Sequence, residues 1–140
     1  MKANNSRQYS IALYGPLLAL VLLFGACAPD LIVKNVHIET WLGSARLMKG
    51  TVENQGNGTA GESKISLEHR TNLNDPFVLK GKMPVPSLGP GESKEVPLMP
   101  VVPPTPACLQ VRVCADADNE VNESSESNNC ITKSWPTVCP

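Results

Sequence analysis

The stretch from Asp116 to Cys130, DADNEVNESSESNNC, has the residue types for chemistry: five carboxylates and four asparagines, with Val121 as its single large apolar side chain. Hard oxygen ligands at this density could hold calcium. An EF-hand count from Asp116 puts Asp118 and Glu120 at ligand positions, but Val121 stands where the loop needs Gly, and Ser127 where it needs the bidentate Glu. An EF-hand is therefore excluded. A looser calcium site made of Asp116, Asp118, Glu123 and Glu126 remains a candidate. The competing reading needs no ligand: Asp and Asn side chains cap the loop's own amides, and Val121 plugs the open end of the fold above it.

The second chemical feature is five cysteines, Cys27, Cys108, Cys114, Cys130 and Cys139. Cys27 follows the apolar run IALYGPLLALVLLFGA, which sits behind Lys2 and Arg7. That pattern has signal-peptide length and is too short, and too broken at Gly15-Pro16, for a comfortable membrane span, an uncleaved anchor being the least favoured alternative. Its end, Leu23-Phe24-Gly25-Ala26-Cys27, resembles the bacterial lipobox, in which small residues precede a cysteine that becomes lipidated and N-terminal; Phe24 departs from the usual Leu. Cleavage after Ala28 would suit a secreted protein, but it puts Pro29 directly after the cut. Assigning Cys27 to lipid leaves an even set of four cysteines for an oxidising compartment. The expected organisation is a signal peptide over 1–26, a lipidated Cys and minimal spacer at 27–28, and one domain over 29–140. Loss of Lys2 and Arg7 moves the net charge from −1 to −3.

The elements that must position these residues read as strands. Leu31 and Val33 share a parity that shifts to Val36 and Ile38, as a bulge would cause. Met48, Gly50 and Val52 alternate inward, as do Ile65 and Leu67. NQGNGTAG and SLGPGES carry turn chemistry, with Gly91 suited to a left-handed position. FVLKGKM reads as an edge strand that could recruit partners by strand addition. Pro97 within KEVPLM argues for an edge or a bulge, and VVPPTP reads as a stiff, extended connection. CLQVRVCA, with Leu109, Val111 and Val113 on one face, and CITKSW complete the series. Short strands separated by Gly/Pro turns predict an all-β fold, an immunoglobulin-like antiparallel β-sandwich of about seven strands.

CLQVRVCA and CITKSW can form one hairpin over the acidic loop. If Cys114 faces Cys130, Val113 meets Ile131 and Leu109 meets Trp135, so the apolar sets coincide. This register predicts Cys114–Cys130, with Cys108–Cys139 nested outside it; two other connectivities fit the sequence. Four-Cys zinc ligation is disfavoured because the short C-x₂₋₄-C spacing is missing.

Four segments in order, PDLIV, VENQGNGTAG, SLGPGES and ADADNEVNESSESNN, resemble the CARDB family, the cell-adhesion-related domain found in bacteria. The resemblance covers nearly all of the exported chain. It implies an immunoglobulin-like sandwich on exported surface or envelope proteins, with an adhesion or scaffolding role and no catalytic residues. The four paired cysteines and the solitary module behind a lipobox depart from the family pattern.

Other groups add little chemistry. His37 and His69 lie in no recognisable nucleophile motif. Trp41 and Trp135 are core or rim packing, with carbohydrate stacking as the rival role. A near-neutral chain with no basic patch is a poor nucleic-acid ligand. The sequence thus leads to a non-catalytic, lipid-anchored module of the cell envelope, on the outer membrane or cell surface, with secretion as the alternative location. Its expected partners are the membrane, through the anchor, and an envelope or extracellular protein. The alternative function is a calcium- or carbohydrate-binding accessory module. No cofactor is expected beyond the candidate calcium.

Overall fold

The computed structural model describes residues 27–43, 45–102 and 109–135, without the side chains of Trp41 and Leu42. Cys108 and Cys139, and with them the second expected disulfide, lie outside the described residues, as does the 1–26 segment. Seven strands form: β1 (Leu31–Leu42), β2 (Ala45–Asn54), β3 (Ser63–Arg70), β4 (Val78–Val85), β5 (Ser93–Pro97), β6 (Leu109–Cys114) and β7 (Cys130–Trp135). They make two antiparallel sheets, a three-stranded one in the order β1-β2-β5 and a four-stranded one in the order β4-β3-β6-β7. The all-β immunoglobulin-like sandwich expected from the sequence is the architecture found.

Period-two patterning decides which side chains enter the core. In β2, Met48, Val52 and Asn54 point inward and are at most 1% exposed. Leu109, Val111 and Val113 of β6 face them from the other sheet with no exposure, beside Ile65 and Leu67 of β3. Burying each such aliphatic side chain is worth about 1.5–3 kcal/mol relative to leaving it exposed. The parity shift in β1 is a register irregularity between Val33 and Asn35, and a second one falls between Ile38 and Thr40. The SLGPGES turn places Gly91 at φ +75°, a region a side chain rarely occupies.

Among the described residues the sandwich leaves four strand edges. β4 carries Pro84 and has Met99 lying over Gly81. β5 is five residues long and ends on Pro97. β1 is interrupted twice. β7 pairs with β6 in unbroken register, Leu109 opposite Trp135, Val113 opposite Ile131 and Cys114 opposite Cys130. Among the described residues no helix is long and apolar enough to cross a membrane.

Candidate functional site

The β6–β7 loop is built by its own acidic side chains. Cys114 and Cys130 are disulfide-bonded with Cα atoms 4.1 Å apart, and the Ala115 amide donates to the Asn129 carbonyl just beyond them (2.9 Å). Asp116 (φ +42°) and Asn119 (φ +54°) adopt the left-handed conformation that Asp and Asn tolerate best among residues with a side chain. Asp116 is buried, and its carboxylate accepts the amides of Glu120 (3.0 Å) and Val121 (2.9 Å). Val121, 7% exposed, is driven by that turn into the core cluster.

Glu123 anchors the loop to the beginning of the chain. One of its oxygens accepts the amide of Leu31, the first residue of β1, and the other accepts the Asn129 side-chain amide (2.9 Å). Around that contact, the Ser124 amide donates to the Pro29 carbonyl (2.9 Å), and Asn128 Nδ2 donates to Asp30 Oδ1 (2.9 Å). Burial pushes the Glu123 carboxyl up to about 7; the nearby charges of Glu126 and Asp116 push the same way, against the Leu31 amide and Asn129.

Of the four candidate calcium ligands, three converge. Asp116, Glu123 and Glu126 each bring a carboxylate oxygen within 4.8 Å of the others. Glu126 also accepts the Glu123 amide (3.0 Å). Asp118 stands apart, because Lys64 of β3 (2.7 Å) and Lys82 of β4 hold its two oxygens over the outer face of the four-stranded sheet. The Lys64 and Lys82 hydrogen bonds lower its pKa. Three carboxylates at this spacing offer a hard-oxygen cradle for a divalent cation, or failing one, mutual repulsion that protonation relieves.

The segment from Cys27 lies against the same end. The Ala28 carbonyl accepts the amides of Asn57 and Gly58 (3.1 Å each). A Cβ on Gly58 would come within 1.9 Å of the Cys27 carbonyl oxygen, so only glycine admits this approach. Cys27 itself is exposed and in no disulfide among the described residues. Beneath it, Asn54 is fully buried and joins three loops: its side-chain oxygen accepts from Asp30 (3.1 Å) and Gly56 (3.0 Å), and its side-chain nitrogen donates to Gly58 (2.7 Å) and Leu88 (2.9 Å). In the sequence this asparagine opens NQGNGTAG and reads as turn chemistry. Its signal was its parity, since a polar residue at an inward position of β2 must find buried partners.

Of the two tryptophans, Trp135 is half-buried, packed against the core, and lines a groove of about 670 Å³ between β1 and β7 with Asn35, Val36, His37, Ile38 and Lys133. The Trp41 side chain is outside the described residues.

Fold and loop geometry define an immunoglobulin-like sandwich whose acidic loop is stapled and clamped to the chain's first strand. The CARDB family model matches residues 28–133, and the chain belongs to the CARDB family. CARDB is a family of non-enzymatic modules. A Methanosarcina acetivorans domain, from a protein named for the cell surface, is 28% identical over 76% of this chain and 90% of its own, with a TM-score of 0.64. The CARDB domain of a Pyrococcus furiosus protein, solved in complex with di-metal ions, is 23% identical over 76% of this chain and 86% of that one, with a TM-score of 0.61. β-Glucosidase 3B of Thermotoga neapolitana shares the fold alone, at 16% identity, a TM-score of 0.51 and 15% of its length. No curated protein matches the chain.

Proposed function

We propose that the protein is a non-catalytic module of the cell envelope, anchored by lipid on Cys27, that binds another macromolecule in adhesion or scaffolding. The observation that carries this reading is the stitching of the segment after Cys27 into the domain, by the Asn57 and Gly58 amides on Ala28 and the Ser124 amide on Pro29. A lipid on the exposed Cys27 would hold the β2–β3 and β6–β7 loops against the bilayer with no slack. The opposite ends of the strands and the sheet edges would then face outward to a partner. Several acyl chains hold a protein firmly where one gives marginal binding. The family's non-enzymatic character supports the absence of catalysis. In cells, the wild type is expected to take up labelled palmitate and sediment with membranes, while Cys27→Ser loses the label and is released. Unlabelled wild type in the soluble fraction would overturn the anchor.

A second reading, calcium binding, is favoured by the convergence of Asp116, Glu123 and Glu126. The Pyrococcus likeness supports the fold only, so this reading rests on the three carboxylates. Calcium that binds the folded state must raise its melting temperature. The rise is expected at pH 8, to shrink at pH 5.5 as Glu123 takes its proton, and to vanish in Glu126→Gln with Asp116 and Glu123 intact. A melting temperature indifferent to calcium at pH 8 would dismiss this reading. The carbohydrate alternative, with Trp135 as the stacking surface, is tested by glycan binding that Trp135→Phe abolishes.

A further inference from the structure

We propose that the outer edge of β7, with which no strand pairs among the described residues, is a docking edge for an extended peptide carrying an acidic residue, which would add as a fifth strand to the four-stranded sheet. This rests on the partner-binding reading above and gives it a place and a chemistry.

The ladder geometry identifies the free groups. Antiparallel pairs alternate between hydrogen-bonded and non-hydrogen-bonded types, the latter with the closer Cα atoms. The Ala115–Asn129 hydrogen bond and the 4.1 Å Cα separation of Cys114 and Cys130 fix the phase. Ile131, Lys133 and Trp135 therefore exchange bonds with β6. Cys130, Thr132 and Ser134 turn their amides and carbonyls away from it, and no other strand pairs with them among the described residues.

The other three edges carry devices that block strand addition: Pro84 and a register irregularity between Leu79 and Gly81 on β4, brevity and Pro97 on β5, and two register irregularities in β1. β7 has no proline and no bulge. The irregularities in β1 also bracket Asn35–Ile38, the β1 side of the groove beside β7. An added strand would project alternate side chains into that groove. Ile38 and Trp135 would pack against apolar ones. Lys133, whose Nζ has Asn35 Oδ1 at 3.5 Å and no carboxylate partner among the described residues, would pair with an acidic one.

The probe is a blocked seven-residue peptide of alternating Thr and Val with a central Asp, compared with its Lys-centred counterpart. Each is added to the mature chain at about 1 mM, a concentration that populates even a weak complex. Amide hydrogen exchange at Cys130, Thr132 and Ser134 is expected to slow about tenfold with the Asp peptide and little with the Lys peptide. Thr132→Pro removes an edge donor that β6 does not use, so it should abolish the protection while shifting the melting temperature by no more than about 2 °C. Lys133→Glu should reverse the preference between the two peptides, and it keeps the test valid if the proline variant does not fold. Absence of protection, or protection confined to β4 or β5, overturns the proposal. So does protection without peptide that grows with protein concentration, which would assign the edge to a second copy. Since the readout is independent of Cys27, failure here leaves the lipid anchor standing.

Discussion

The raised pKa of Glu123 makes the clamp between the acidic loop and β1 a pH-dependent part of the fold. In the unfolded chain the carboxyl titrates near 4.5, and in the folded one near 7, because the ionised form is buried beside Asp116 and Glu126. Folding therefore favours the protonated form. Its contribution to stability is complete below pH 4.5, falls as pH rises toward 7, and is flat above that. At about 1.4 kcal/mol per pH unit the interval corresponds to roughly 3 kcal/mol, reduced to roughly 1–2 kcal/mol by solvent at the loop's rim. Glu123→Gln should remove the dependence. Asn129 Oδ1 is buried without a hydrogen-bond partner among the described residues. A flip of the Asn129 amide would let it accept from the glutamine nitrogen, while the glutamine oxygen keeps the Leu31 amide. The assay is thermal unfolding from pH 4.5 to 8 with chelator present. Wild type should lose stability across that range more steeply than the variant, and at pH 8 the variant should melt about 5 °C higher. A variant that melts lower at pH 8, with an unchanged pH slope, would refute the reasoning.

Three further changes test the packing of the same end. Replacing Cys114 and Cys130 together by Ala opens a loop with a sequence separation of 16, and should cost about 3 kcal/mol in denaturant unfolding, without changing the peptide edge of β7. Asn54→Ala strands the Gly58 carbonyl and the Asp30 and Gly56 amides and takes from the Leu88 carbonyl one of its two donors, the other being the Ala60 amide; about 3 kcal/mol of destabilisation is expected by thermal or chemical unfolding. Val121→Ala should cost about 1–2 kcal/mol, whereas a loop that does not pack on the core would show no loss.

Much of the fold was legible because it depends on alternation. Leu109, Val111 and Val113 set the face of β6, and the coincidence of their parity with Ile131 and Trp135 specified the register found. The shift from Leu31 and Val33 to Val36 and Ile38 marked an irregularity in β1 for the same reason. The site was less legible because its contacts join residues far apart in sequence. Nothing near Glu123 announces that its carboxylate meets the Leu31 amide, and nothing near Asp118 announces Lys64 and Lys82, which cross-strand pairing brings beneath it. Charge density alone placed Asp118 with the other acids, whereas two lysines draw it to the sheet. Asn54 looked like part of a turn, and its role appears only when the β2–β3 and β4–β5 loops and the Asp30 segment meet around it.

The proposed anchor on Cys27 would orient every surface described above, and the mass of the mature N-terminal peptide from membrane-bound protein tests it most directly. A chain that begins at Cys27 and carries acyl groups is the predicted result; a chain that begins elsewhere, or an unmodified Cys27, would contradict it.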